Sequence, residues 1–199
     1  GQTNNLLNTF DTESPNEYLL RPSTVGMERF TDDEFNPGWN NDTRDDATFK
    51  KVNGKYAVTK YRPSGSTVRV NAYEDDVPVY LYRGVELYFM LAEALNNLGR
   101  YEAAAALINT GINGVNLAQA LVDDPEEWKG FTMDWTSDAK LGVRRYPDLG
   151  IRGSFGTALG KRTFLTKDSK KDNGDSYTPD EIKKANDKAL LDEMMLEMS

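Results

Sequence analysis

Two amphipathic segments joined by a two-residue link are the feature that most limits the folds open to this chain. From Arg83 to Leu98, apolar residues recur at intervals of three and four, which is the spacing of one helix face. Gly99 is placed to end this helix, and Tyr101 to Ile112 combines an alanine-rich stretch with an apolar stripe of its own. Because so short a link brings consecutive helices back alongside each other, the sequence predicts an antiparallel αα-hairpin over Arg83–Ile112.

The hairpin has the residue spacing of a tetratricopeptide (TPR) unit, in which small residues allow close helix contact and an aromatic fills the gap between the helices. The residues at those positions are Leu91, Ala92, Leu95, Gly99, Tyr101, Ala104 and Ile108. A lone unit cannot bury its own apolar face, so we expect it to pack on other parts of the protein. The hairpin is therefore predicted to be a scaffold.

Around the hairpin the chain is rich in Pro, Gly, Asn and Asp, which predicts a mainly α fold with long loops and a small β ribbon. The ribbon is predicted to pair strands at Lys55–Tyr61 and Thr67–Val70, with Arg62–Gly65 between them. A short helix is expected near Leu117–Val122. Thr178-Pro179-Asp180-Glu181 has the pattern of a capping box, so a final helix is expected from Pro179 onwards.

We expect a single domain over residues 1–199. Its parts are a loop- and strand-rich segment (1–82), the hairpin (83–112), a loop-rich insertion (113–177) and the start of a final helix (178–199). The first residues resemble a cut end, and the final helix reaches Ser199 without a C-cap. Both features suggest a fragment of a longer protein.

Composition excludes several classes of function. A formal net charge of −8 and a pI near 4.7 disfavour nucleic acid as a partner, because phosphate binding requires clustered Lys and Arg. The absence of Cys and His removes thiol catalysis, the commonest general base and the commonest metal ligands. No segment has the length of apolar sequence that a membrane helix needs. We therefore expect no catalytic residues, no metal and no cofactor.

Several blocks of this sequence, in order, resemble the SusD/RagB family. The first is Val77–Arg83, followed by Leu91-Ala92-Glu93-Ala94, Leu98-Gly99 and Leu107-Ile108-Asn109 of the hairpin. Upstream, Asp42-Thr43-Arg44 is similar to the family's Asp-x-Arg block. Downstream, Gly150–Gly153 resembles its Arg-Gly segment, and Leu190–Glu197 resembles the helix that leads into the family's Phe-Glu-Gly-x-Arg sequence.

The resemblance implies a fold of the SusD/RagB α/α superhelix type and a function in binding without catalysis. It implies capture of oligosaccharide or polysaccharide at the cell surface and delivery to a SusC-like TonB-dependent outer-membrane transporter. It also implies attachment to the outer membrane only through a lipid anchor, which is missing from this chain together with the amino-terminal half of the family's proteins.

Glycan binding requires aromatic faces that stack on sugar rings, with carboxylates and amides nearby for the hydroxyls. Loop residues of these types supply the candidate glycan contacts, which are Trp39, Asn41, Asp42, Trp128, Phe131 and Trp135. Each Trp has an alternative interpretation, in which it pins its loop to the core. An exposed ring would favour a role in glycan binding, and a buried ring would favour a role in pinning the loop to the core.

Two other functions are compatible with the sequence. A TPR-like hairpin is also found in protein-interaction modules that do not contact glycan. Acidic clusters such as Asp45-Asp46 could supply the two carboxylates of a glycoside hydrolase, although no pair stands out from the other acidic residues.

Overall fold

A computed structural model describes residues 22–52, 54–58, 83–131, 150–153 and 160–198. Within these residues the protein is mostly helical, which confirms the predicted fold class. The helices are α1 (Thr24–Thr31), α2 (Arg44–Thr48), α3 (Gly84–Asn97), α4 (Tyr101–Asn109), α5 (Gly114–Asp123), α6 (Gly150–Gly153) and α7 (Pro179–Met198), with a 3₁₀ turn at Trp39–Asn41. Two strands, β1 (Phe49–Val52) and β2 (Lys55–Val58), form an antiparallel ribbon.

The predicted hairpin is confirmed as α3 and α4. Gly99 has φ of 75°, the left-handed conformation that favours glycine. Its N–H donates to the carbonyl of Asn96, and the N–H of Arg100 donates to the carbonyl of Leu95 at 2.9 Å. This pair of bonds is a Schellman motif, so the last carbonyls of α3 are satisfied while the chain reverses direction.

The apolar core is centred on the hairpin. Its buried residues include Ala92, Leu95, Ala103, Ala104, Leu107, Ile108, Ile112, Leu117, Ile151 and Leu190, which come from α3, α4, the segment after α4, α5, α6 and α7. The hairpin thus packs on the rest of the chain, as expected of a lone unit. The predicted helix near Leu117–Val122 is confirmed as part of α5.

The β ribbon differs in part from the prediction. Lys55–Val58 is a strand, but its partner is Phe49–Val52, with Phe49 opposite Val58 and Val52 opposite Lys55. The predicted partner Thr67–Val70 lies outside the described residues. The Asn53-Gly54 pair, a common hairpin turn sequence, is the signal that indicates the observed pairing.

The final helix begins as predicted. The N–H of Thr178 donates to the Glu181 carboxylate at 2.8 Å, and the Glu181 N–H donates to the Thr178 hydroxyl at 3.3 Å, which completes the capping box. The apolar residues of α7 are not all buried, because Ala185 and Met194 are exposed. The inward face includes Ile182, Asn186, Leu190, Glu193 and Leu196, so it carries both apolar and polar side chains.

Candidate functional site

Trp39 lies on the surface at the start of the 3₁₀ turn. Gly38 precedes it with φ of 72°, and the turn is closed by the N–H of Asn41 on the Gly38 carbonyl at 3.1 Å. The indole is 39% exposed, and the side chains of Asn40 and Asn41 beside it are also exposed. An accessible aromatic ring with two adjacent amides has the chemistry that stacks on a sugar and binds its hydroxyls.

The loop that carries Trp39 is anchored from below by Asn36, whose side chain is fully buried. Its Nδ2 donates to the Phe30 carbonyl at 3.0 Å and to Asp42 Oδ2 at 2.9 Å. Asn36 and Asp42 lie on either side of the 3₁₀ turn, so their hydrogen bond joins the two ends of the loop. We call residues 35–42 the Trp39 loop.

Asp42, a predicted glycan contact, points inward instead. Its carboxylate accepts from Arg44 Nη2 at 2.6 Å and from Arg44 Nε at 2.9 and 3.0 Å. Burial acts to raise the pKa of Asp42, but the hydrogen bonds and charge of Arg44 outweigh it and lower the pKa. Asp42 therefore holds the loop and does not offer its carboxylate to a surface ligand.

Glu193 of α7 is the centre of a buried charged cluster and is 0% exposed. Its Oε1 accepts from Arg44 Nη1 at 2.7 Å. Its Oε2 accepts from Arg152 Nη1 at 2.5 Å and from Arg162 Nε at 2.9 Å. Burial acts to raise the pKa of Glu193, but the charges of the three arginines outweigh it and lower the pKa, so the carboxylate is held ionised.

The pKa values of the arginines around Glu193 depend on burial and on the other charged groups of the cluster. Burial opposes the charge of Arg44, but its hydrogen bonds to the Asp42 carboxylate and the charge of Glu193 raise its pKa. Burial lowers the pKa of Arg152, and the positive charges of Arg162 and Arg44 also lower it. The charge and hydrogen bond of Glu193 act to raise this pKa but do not outweigh them. We call Asp42, Arg44, Arg152, Arg162 and Glu193 the buried ion cluster.

Three blocks that resemble the family in sequence meet in this cluster. They are Asp42-Thr43-Arg44, the segment with Arg152, and the α7 segment with Glu193, which lie far apart along the chain. No local pattern in the sequence indicates directly that they touch. The available signal was that Glu193 shares the helical face of Ile182, Asn186 and Leu190, where a charged residue is unusual.

Trp128 and Phe131 are buried, each with 8% exposure, and belong to the core under the hairpin. Their rings lie 6.2 Å apart, and the Arg100 guanidinium lies 5.5 Å from the Phe131 ring centre. Their faces are already occupied by protein, which corrects the expectation that they offer a stacking surface. They pin their loop to the core, and Trp135 lies outside the described residues.

The neighbouring Glu127 explains why this loop lies against the hairpin. Its buried carboxylate accepts from the N–H groups of Glu102 and Ala103 at 2.8 and 3.0 Å. These N–H groups belong to the first turn of α4, where the helix itself supplies no acceptor. A negative charge at a helix N-terminus is also favoured by the helix dipole. The side chain of Glu127 therefore fixes the segment that contains Trp128.

A half-open cleft of about 590 Å³ lies between α1, α2 and the ribbon. Its lining consists of Thr24, Met27, Glu28, Thr31, Asp45, Asp46, Phe49, Lys51 and Tyr56, of which Tyr56 is 44% exposed. Burial raises the pKa of Asp45, and the charges of Asp46 and Asp42 act in the same direction. The cleft is thus a second surface with aromatic and polar groups, and Trp39 is not part of its lining.

Among the described residues, no group of three or more acidic side chains is arranged to hold a metal ion. In the same part of the chain, no helix combines the length and the apolar character needed to cross a membrane.

Residues 9–118, more than half of the chain, match the model of the SusD family. Comparison with curated proteins and with solved structures found no significant match. Members of the family are in general non-catalytic carbohydrate-binding lipoproteins of the outer-membrane surface, which act in nutrient uptake with SusC transporters. The matched residues contain the hairpin, the Trp39 loop and Arg44, and the chain belongs to the SusD family.

Proposed function

We propose that this protein captures an oligosaccharide or polysaccharide at the cell surface, without catalysis, and delivers it to a partner TonB-dependent transporter. The observation that carries the proposal is the exposed ring of Trp39 on a loop anchored by buried hydrogen bonds. Family membership supplies the wider context of nutrient uptake at the outer-membrane surface.

The anchoring matters because a binding loop that is already ordered loses little conformational entropy when ligand arrives. Asn36 and Asp42 join the ends of the Trp39 loop, while Asn40 and Asn41, which follow Trp39 within the 3₁₀ turn, are exposed. Trp39 supplies the stacking surface and the amides supply donors and acceptors for hydroxyls. Such stacking tolerates many sugars, so specificity depends on the polar groups around it.

Affinity electrophoresis through gels that contain neutral or acidic polysaccharides tests this proposal. Trp39→Ala is expected to reduce retardation by the bound polysaccharide, with affinity about tenfold or more weaker, as for truncation of a central aromatic contact. Tyr56→Ala is the matched control, because Tyr56 is an exposed aromatic that lies in the cleft and not on the Trp39 loop.

Absence of retardation by every polysaccharide tested would contradict glycan capture. A loss confined to Tyr56→Ala would move the contact to the cleft. Release of reducing ends from the polysaccharide would favour the hydrolase alternative, for which the cleft lining offers the carboxylates Glu28, Asp45 and Asp46.

A protein-interaction role without glycan contact is the second candidate. It is favoured by exposed apolar side chains on two helices that pack together, with Leu87 and Met90 on α3 and Leu191, Met194 and Met195 on α7. Co-purification of a TonB-dependent transporter from outer membranes tests the partner. Retention of the transporter by a protein that binds no polysaccharide would favour this second role.

A further inference from the structure

The Trp39 loop is held by two arginines that come from much later in the sequence. Arg152 Nη2 donates to the Pro37 carbonyl at 2.6 Å and to Asn36 Oδ1 at 3.2 Å. Arg162 Nη2 donates to the Phe35 carbonyl at 2.7 Å. These acceptors immediately precede Gly38 and Trp39, so both guanidinium groups fix the backbone that leads into the turn.

Each arginine binds Glu193 through one nitrogen and the loop through another. Arg152 uses Nη1 for Glu193, Nη2 for the loop and Nε for the Gly160 carbonyl at 2.7 Å. Arg162 uses Nε for Glu193 and Nη2 for the loop. A lysine has a single nitrogen on a flexible stem and cannot reproduce this divided geometry, although it keeps the positive charge.

Gly160 gives independent evidence that the loop is closely fitted to the later segment. A Cβ added at Gly160 would lie 2.7 Å from both the carbonyl carbon and the oxygen of Pro37. Two backbone segments therefore touch at this point, and only a residue without a side chain fits there.

We propose that Arg152 and Arg162, held in place by Glu193, are positioning residues that set the location of Trp39 and thereby the affinity for glycan. This inference rests on the proposed function for its consequence in binding. All three residues lie outside the residues 9–118 that match the family, whereas Trp39 lies inside them. The position of Trp39 is thus set by buried side chains from a later part of the chain.

Fluorine NMR of the full chain labelled with 5-fluorotryptophan tests the positioning directly. The three tryptophans give three resonances, and Trp39→Phe and Trp128→Phe assign the two that matter. In Arg152→Lys and Arg162→Lys the Trp39 resonance is expected to shift or broaden, while the buried Trp128 resonance stays in place. A merely structural role would lower stability and leave the Trp39 resonance where it is.

Arg83→Lys is the matched control. Arg83 binds the carbonyl of Glu197 at 2.9 Å and its carboxylate at 3.3 Å, and both of these acceptors belong to α7. Gly160→Ala is the second variant, because the added methyl group displaces Pro37 while all the buried charged residues are kept. If a lysine variant fails to fold, Gly160→Ala still tests whether the later segment positions Trp39.

The same variants are then measured against the polysaccharide that retards the wild-type protein most strongly. Binding by Arg152→Lys and Gly160→Ala is expected to be weaker by on the order of tenfold, because the loop is no longer pre-ordered. Folded variants with an unchanged Trp39 resonance would overturn the inference, and so would a shifted resonance with unchanged affinity. If the wild-type protein binds no polysaccharide, the proposed function fails, while the resonances still decide the positioning.

Discussion

The hairpin and the buried ion cluster are two interiors built on different physics. In the hairpin, Ala92, Leu107 and Ile108 are buried by apolar contact with no directional bonds between side chains. In the cluster, Glu193 is equally buried but is satisfied by hydrogen bonds from three arginines. Apolar packing tolerates small shifts in orientation, whereas charged hydrogen bonds lose most of their strength when donor and acceptor are misaligned.

The two interiors have different structural roles in this fold. The hairpin removes apolar surface from water and supplies a rigid base. The ion cluster fixes irregular loops, because arginine forks reach backbone carbonyls such as those of Phe35 and Pro37. Such clusters are a weak source of net stability, since removal of charges from water is costly, but removal of one member is strongly destabilising.

The largest expected effect is that of Glu193→Gln. The change leaves Arg44, Arg152 and Arg162 without their shared anion, so we expect the free energy of unfolding to fall by about 3–5 kcal/mol. Urea denaturation followed by circular dichroism measures it. Asp192→Asn is the adjacent control, because Asp192 pairs with the exposed Lys188 and its loss is expected to cost less than about 1 kcal/mol. Equal effects of the two changes would refute a special role for Glu193.

A somewhat smaller effect is expected in the apolar interior. Ile108→Ala leaves a cavity under the hairpin and is expected to lower the free energy of unfolding by about 3 kcal/mol. The control is Leu87→Ala on α3, because this side chain is 67% exposed and its loss is expected to change stability by no more than about 0.5 kcal/mol. The prediction fails if Ile108→Ala is tolerated as well as Leu87→Ala.

Ile108→Ala also tests whether the apolar interior, like the buried ion cluster, affects the position of Trp39. The change removes no hydrogen bond of the Trp39 loop, although the neighbouring Asn109 exchanges hydrogen bonds with the backbone of Arg162. The Trp39 fluorine resonance is therefore expected to shift less than in Arg152→Lys. A shift as large as that of Arg152→Lys would show that the two interiors are not independent.

Acid is expected to affect the two interiors differently. The pKa values of Glu193 and Asp42 are lowered in the folded protein, so their contribution to stability is full above the unfolded values of 4.5 and 3.8 and is lost as pH falls through the folded values. Each unit of lowering corresponds to about 1.4 kcal/mol. The urea midpoints of wild type and Glu193→Gln should therefore lie closer together at about pH 3 than at about pH 7.

The difference in urea midpoint between wild type and Glu193→Gln is the relevant measure, because other groups titrate in both proteins. The pKa of Glu181 is lowered to about 2 by hydrogen bonds from Lys171 and Thr178, and burial raises the pKa of Asp45 and Glu102. These contributions cancel in the comparison. A constant difference between the proteins from neutral to acid pH would contradict the assignment of an ionised, buried Glu193.

Local sequence signals predicted much of the fold. The periodicity of α3 and α4, the glycine at their link and the capping box at Thr178 each depend on residues a few positions apart, so they are visible in one segment of chain. The exposed aromatic at Trp39 was among the predicted contacts. Trp128 and Phe131 were equally good candidates by sequence, because an aromatic residue in a loop serves equally well to bind a ligand or to pin the loop.

The sequence by itself determined the mainly helical fold, the hairpin with its turn at Gly99 and the start of the final helix, since these depend on local periodicity and capping. Only the tertiary structure decided that, among the described candidates, Trp39 is exposed while Trp128 and Phe131 are buried, and where the polar residues go. Glu193 and Arg44 are 149 positions apart in the chain and meet at 2.7 Å. Their side chains are of types that usually face water, so their burial depends on partners that local sequence cannot supply.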